Sequence, residues 1–219
     1  ITHENDFYSY CARKIRQLWK AFPCDRIGID AQGGGNAVIE ALHNKNNLNR
    51  DDSGRIIEEP FWPIIKPDKS EMTDLQPGLH IIEPIEFANY AWTYEANHGL
   101  RQDMENKTLL FPRFDQVSIE LASAKDYERV AQFERENPGL HIRPYDTFED
   151  VCIEIEELKD ELTSIVVTRT GNGVGSREKW DTPEIKLNNG KKGRMRKDRY
   201  SALVIANMIA RQKRSAMGI

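Results

Sequence analysis

The sequence predicts an α/β protein, and three observations carry that prediction. A buried strand runs through Arg26-Ile27-Gly28-Ile29-Asp30 and breaks at the glycine turn Gly33-Gly34-Gly35 into a helix. Amphipathic helical stretches then alternate along the chain with short β-branched runs, a pattern of α/β layers rather than of an all-α or all-β fold. Apolar content is ordinary, at 39%, and no run approaches the roughly 18 apolar residues of a membrane span.

The elements follow in order. Tyr8, Cys11, Ala12, Ile15, Leu18, Trp19 and Phe22 recur at helical spacing, with Arg13, Lys14 and Arg16 expected outside and Pro23 as the stop. After the strand to Asp30 and a helix from Ala37 to about His43, the polar stretch from Asn44 to Ser53-Gly54 reads as a loop or hairpin tip. Phe61 to Ile65 and His80-Ile81-Ile82-Glu83 are short strand candidates. Glu86 to about Asn106 turns helical, Leu109-Leu110-Phe111-Pro112 reads as a strand-like exit, and Asp115 to Glu136 is helical again. Phe148 to Leu162 presents Val151, Cys152, Ile155, Leu158 and Leu162 on one helical face, with Glu154, Glu156, Glu157, Asp160 and Glu161 as its solvent side. Ser164 to Thr170, with Ile165-Val166-Val167-Thr168, is a β-branched run and reads as a strand. Asn188-Asn189-Gly190 marks a hairpin turn, and a helix from about Lys197 to Ser215 closes the chain.

Composition excludes some classes. Cys11, Cys24 and Cys152 lie far apart without CxxC spacing, so neither a disulfide framework nor a zinc site is indicated, and a reducing compartment fits. His43, His80, His98 and His141 show no metal-ligand spacing. The formal charge of −4 does not advertise a nucleic-acid binder, yet Lys186, Lys191, Lys192, Arg194, Arg196, Lys197 and Arg199 crowd one segment. That cluster is either a DNA-contacting hairpin or a solvated loop.

Two acids stand out. Asp30 sits where strand gives way to turn, at the edge where open α/β sheets gather ligands, though it would equally serve as a helix cap. Asp198 opens the closing helix, and the spacing Asp198, Ala202, Ile205, Ile209 places it on a core-facing stripe. Its competing role is an N-cap or an ion pair with Arg194 or Arg199. Carboxylates at the ends of a strand and a helix suit hard divalent cations. Asp115 is a weaker candidate. Trp92 and Trp180 read as packing residues, with stacking on a nucleotide as the second reading for Trp180.

In this order the landmarks resemble the nuclease part of tailed-phage terminase large subunits. The resemblance rests on Arg26-Ile27-Gly28-Ile29-Asp30, the Gly33-Gly34-Gly35 turn, Leu109-Leu110-Phe111-Pro112 before Glu120-Leu121, the helix from Ile153 to Leu162, and Arg196-Lys197-Asp198-Arg199-Tyr200-Ser201-Ala202-Leu203. It implies an RNase H-like mixed sheet flanked by helices and a metal-dependent endonuclease that cuts concatemeric double-stranded DNA in a viral packaging motor. It further implies a two-metal Mg²⁺ or Mn²⁺ site of three acids, with Asp30 similar to the second and Asp198 to the third. Lys191, Lys192, Arg194, Arg196, Lys197 and Arg199 would contact DNA. For the full-length protein it implies a portal protein and a small terminase subunit as partners, and the host cytoplasm as location, with no membrane.

The chain departs from that pattern in two ways. No strand-borne first acid precedes Tyr8, and no GxxxxGK[ST] loop is present, so no ATP site is expected in this segment. The expectation is therefore one nuclease-like domain over residues 1–219, N-terminally incomplete and with its first strands missing, carrying insertions near 44–78 and 171–193. Two other readings stand beside it: a junction resolvase or integrase-type nuclease, and a non-catalytic DNA- or protein-docking module.

Overall fold

The computed structural model describes residues 7–65, 76–136, 147–171, 176–186 and 192–218. It is a mixed α/β protein, rich in helix, with a small parallel sheet. Two compact units divide it, one of Ile1–Thr93 with Ile209–Ile219 and the other of Tyr94–Met208.

In the first unit, α1 (Phe7–Ala21) leads into β1 (Ile27–Asp30), and α2 (Gly35–His43) follows the glycine turn. β2 (Phe61–Pro63) and β3 (Leu79–Ile85) complete a three-stranded sheet in the order β1-β3-β2, with both pairings parallel. Parallel strands need a crossover, and α2 lies in the one that leaves β1. Ala12 of α1, Ile39, Ala41 and Leu42 of α2, and Phe61 and Ile82 of the strands form one core with Ala31. Trp19 meets Phe61 edge to face at 5.3 Å, a favoured aromatic arrangement. Each large side chain so buried contributes about 1.5–3 kcal/mol.

Arg16 departs from its expected place on the outside of α1. It is 3% exposed and donates to the carbonyls of Leu42 at 3.3 Å and Asn47 at 2.7 Å, with Glu58 at 3.4 Å from its Nε. Burial lowers the guanidinium pKa, and Glu58 pulls it back toward its ordinary value. The last turn of α2 and the loop after it supply those acceptors, and Asn49 is itself bonded to Glu58. A buried charge survives here because it is paired and hydrogen-bonded.

The second unit holds most of α3 (Tyr90–Glu105), then α4 (Gln116–Glu136), α5 (Phe148–Ser164), the β4–β5 hairpin (Val166–Thr170, Arg177–Asp181), the β6–β7 hairpin (Glu184–Lys186, Lys192–Arg194) and the start of α6 (Asp198–Met217). α5 begins with a reciprocal capping box between Thr147 and Asp150. Leu109-Leu110-Phe111-Pro112 is not a strand. The Thr108 and Leu109 amides both donate to the Asp103 carbonyl, closing α3 instead. The turn at Asn188-Asn189-Gly190 lies outside the described residues, while the strands on either side of it pair antiparallel as expected.

The buried stripe of α6 is Tyr200, Val204, Ile205, Asn207 and Met208. Asp198 and Ala202 are exposed, which corrects the stripe expected from their spacing. Two polar residues belong to the true stripe because they have buried partners. The Tyr200 hydroxyl donates to Asn97 Oδ1, and Asn207 Nδ2 donates to Asp103 Oδ2 at 3.0 Å.

Candidate carboxylate site and basic hairpins

Asp30 is half-buried at the carboxyl end of β1, opposite Ile85 of β3. Its Oδ1 accepts the Gln32 amide at 3.0 Å, a local turn bond rather than a cap on α2, whose N-cap residue Gly34 offers no side-chain bond. Glycine is required at two points of this turn. Gly33 has φ +58, a left-handed conformation costly for other residues. A Cβ on Gly35 would lie 1.6 Å from the Asp30 carbonyl oxygen. The turn therefore folds back tightly on the strand that delivers the carboxylate.

The register adds a residue that the sequence does not single out. Gly28 pairs with Glu83 and Asp30 with Ile85. Because side chains alternate along a strand, Glu83 shares a face of the sheet with Asp30, while Ile27, Ile29 and Ile82 lie on the opposite face, within the core. Glu83 is half-buried too. Among the described residues neither Asp30 nor Glu83 has an ion-pair partner. Only knowledge of parallel pairing between strands more than fifty residues apart would have found Glu83.

Asp198 lies in the other unit, exposed at the first position of α6 and without an ion-pair partner among the described residues. The pairing expected of it with Arg194 or Arg199 goes instead to other acids. Asp115 resolves as the cap of α4, accepting the Ser118 amide at 2.9 Å and its hydroxyl at 2.6 Å, bonds that hold its carboxyl below the ordinary range.

The basic residues are largely committed within the second unit. Asp181 takes Lys179 at 3.2 Å, Arg194 at 3.0 Å and Lys197 at 3.2 Å. Burial pushes the Asp181 carboxyl up, and the bonds from Lys179 and Lys197 outweigh that, leaving it below its ordinary value. Lys192 and Arg194 reach Glu184 at 3.1 and 3.4 Å. Arg199 spans α5, binding Glu154 at 2.5 Å, Glu161 at 3.2 Å, and Glu157. The Glu154 bond above all raises its pKa. Glu161 also accepts the Tyr200 amide at 2.8 Å and is 8% exposed, so it does not belong to the solvent side of α5. Arg196 is exposed and has no such partner among the described residues, and Lys191 lies outside them.

His98, without ligand spacing in the sequence, is hydrogen-bonded to Glu178 at 2.7 Å, and Arg169 reaches the other Glu178 oxygen at 3.2 Å. The His98 bond is the largest cause that lowers the Glu178 pKa.

In kind, the carboxylates of Asp30 and Glu83 fit a hard divalent cation: both are oxygen ligands, and no cation among the described residues neutralises them. In number they fall short of the implied three-acid site, since no group of three or more His, Cys, Asp or Glu side chains among the described residues is placed to hold a metal. Among those residues no helix is long and apolar enough to cross a membrane. No family model, curated protein or solved structure matches the chain.

Proposed function

We propose that this chain is the metal-dependent endonuclease part of a viral DNA-packaging motor, an RNase H-like domain that cuts concatemeric double-stranded DNA. The observation that carries the reading is a pair of half-buried carboxylates, Asp30 and Glu83, on one face of a parallel sheet, with no cation among the described residues to balance them. Half-buried charge of one sign is costly unless a partner arrives. The resemblance of Arg26 to Asp30 and of Arg196 to Leu203 to terminase nucleases names that partner as Mg²⁺ or Mn²⁺. With such an ion bound, the chemistry supplied is charge stabilisation at the scissile phosphate and a more acidic water.

The chain's own residues prepare the setting. The tight turn at Gly35 holds the backbone of Asp30, and the Gln32 amide fixes one carboxylate oxygen, leaving the other for a ligand. Asp198, which the resemblance likens to the family's third acid, is exposed and without an ion-pair partner among the described residues. Arg196 is the assigned cation with no internal ion pair among those residues, and it would hold backbone phosphate without reading sequence.

The test is plasmid cleavage in Mn²⁺ by the wild-type chain, Asp30→Asn and Asp198→Asn. Wild type is expected to nick and linearise the plasmid, and each variant to lose at least about 100-fold in rate. Absence of metal-dependent cleavage, or cleavage unchanged in both variants, overturns the proposal.

A second reading, a non-catalytic docking module of a packaging complex, draws support from the ion pairs that occupy Lys192, Arg194, Lys197 and Arg199. Salt-sensitive DNA binding that is indifferent to Mn²⁺ would favour it.

A further inference from the structure

We propose that Tyr8 is a positioning residue for Asp30, its ring pressing on the glycine turn that carries the carboxylate. This rests on the proposed function, in which Asp30 is a metal ligand. Of the three glycines in the turn, the middle one is not demanded by the backbone. Gly34 has φ −73 and ψ −11, a right-handed helical conformation that any residue adopts. What excludes a side chain there is Tyr8. A Cβ on Gly34 would lie 3.1 Å from Tyr8 Cε1 and 3.4 Å from its hydroxyl oxygen, so the ring rests on the bare Cα. Gly35, next along, meets the Asp30 carbonyl instead. The turn is thus held between the strand that ends in Asp30 and the first turn of α1.

The course of α1 explains how Tyr8 arrives there. Arg16 reaches the Leu42 carbonyl in the last turn of α2, and Tyr8 meets Gly34 where α2 begins. The same eight-residue spacing, about 12 Å of helix, separates Tyr8 from Arg16 and Gly34 from Leu42. The two helices therefore run side by side in one direction, and the first turn of α1 comes to the carboxyl edge of the sheet.

Burial does not account for Tyr8. α1 joins the core through Ala12, Ile15 and Trp19, whereas Tyr8 is 45% exposed. Its contact with Gly34 is local, and what it constrains is the turn. The Gln32 amide of that turn donates to Asp30 Oδ1 at 3.0 Å, so movement of the turn moves the donor that orients the carboxylate. Groups that orient a metal ligand from behind govern metal affinity by about 10- to 100-fold. Cε1 is the atom nearest the turn, so the ring, not the hydroxyl, carries the role.

The test joins NMR relaxation without metal to plasmid cleavage across a range of Mn²⁺, on wild type, Tyr8→Ala, Tyr8→Phe, Gly34→Ala and the double variant of Tyr8→Ala with Gly34→Ala. Backbone order parameters of Gln32 to Gly35 are expected near the rigid value of about 0.85 in wild type and below about 0.6 in Tyr8→Ala. Tyr8→Ala is expected to raise the Mn²⁺ concentration for half-maximal rate at least about tenfold, with the urea midpoint close to wild type. Tyr8→Phe keeps the ring and should match wild type in both measurements. Gly34→Ala displaces the ring and should raise the Mn²⁺ requirement by a smaller factor, an effect that disappears once Tyr8 is alanine. An ordered turn in Tyr8→Ala, or a Tyr8→Phe that fails as Tyr8→Ala does, overturns the proposal. Loosening spread across the whole first unit does so too, because it marks Tyr8 as a packing residue. Should Tyr8→Ala fail to fold, Gly34→Ala decides, and an unchanged turn and Mn²⁺ requirement overturn the proposal. A turn loosened by Tyr8→Ala in a chain without Mn²⁺-dependent cleavage overturns the nuclease reading and leaves the hold of Tyr8 on the turn standing. Cleavage with the Mn²⁺ requirement of Tyr8→Ala unchanged does the reverse.

Discussion

The two units differ in how they hold their half-buried acids. In the second, Asp181 is held by three cations, Glu184 by two, and Glu178 lies between His98 and Arg169. Those acids are structural, each tying one segment to another. In the first, Glu58 plays that part for Arg16 and Lys20, but Asp30 and Glu83, on a parallel sheet, have no cation against them among the described residues. Under the proposed function, that half-buried pair is the place kept for a ligand, whereas Asp198 of the second unit is unpaired among the described residues but exposed. Perturbed or unbalanced charge clusters at functional sites for the same reason.

The largest blow to this contrast would come from Gly35→Ala. Its methyl cannot sit 1.6 Å from the Asp30 carbonyl oxygen, so the turn must open and carry the carboxylate with it. A loss of about 3 kcal/mol in urea unfolding is expected, and a near-native midpoint would show the turn to be pliant. On the saturated side, Glu161→Ala strips the Tyr200 amide and Arg199 of an almost fully buried acceptor. Chemical denaturation should register a loss of about 2 kcal/mol, and a change below about 0.5 kcal/mol would remove Glu161 from the structural acids.

Acid should act on the second unit through the same residues. Glu178 and Asp181 have carboxyl pKa values depressed in the folded state. A depressed carboxyl contributes stability that is complete above its unfolded value, near pH 4 for such groups. That contribution is lost as pH falls through the lower folded value. Melting temperature should therefore drop more steeply below about pH 4 in wild type than in Asp181→Asn, and parallel curves would refute the role of the cluster. The smallest effect belongs to Glu83→Gln. Nothing among the described residues holds that carboxylate, so stability should stay within about 0.5 kcal/mol of wild type, in the same urea titration that exposes Gly35→Ala.

Much of the fold could be read from the chain, for identifiable reasons. β1 and its turn announced themselves because apolar strand residues meet glycine abruptly, and α5 because its apolar period is regular. Apolar periodicity locates α6 but not its facing. Tyr200 and Asn207 are polar, so a count of apolar residues passes over them, yet Asn97 and Asp103, a hundred residues earlier, make them core. Arg16 is a similar case, since its acceptors come from the last turn of α2 and the loop beyond it. The basic segment was legible as composition and not as chemistry: Glu154 and Glu161 lie far from Arg199 in sequence, and no local rule pairs them. Glu83 was invisible for the same reason, because parallel register is set by elements that the intervening chain does not encode.

The reach of Arg199 across α5 has a consequence for how this unit responds to its medium. One guanidinium faces Glu154, Glu157 and Glu161, so three negative charges meet one positive and two remain over. Salt weakens attraction and repulsion alike between exposed charges. Here the bonded attractions are short and the leftover repulsions longer-ranged, so added salt relieves more strain than it removes support. Added salt should therefore cost that corner less stability than a count of its three contacts to Arg199 suggests.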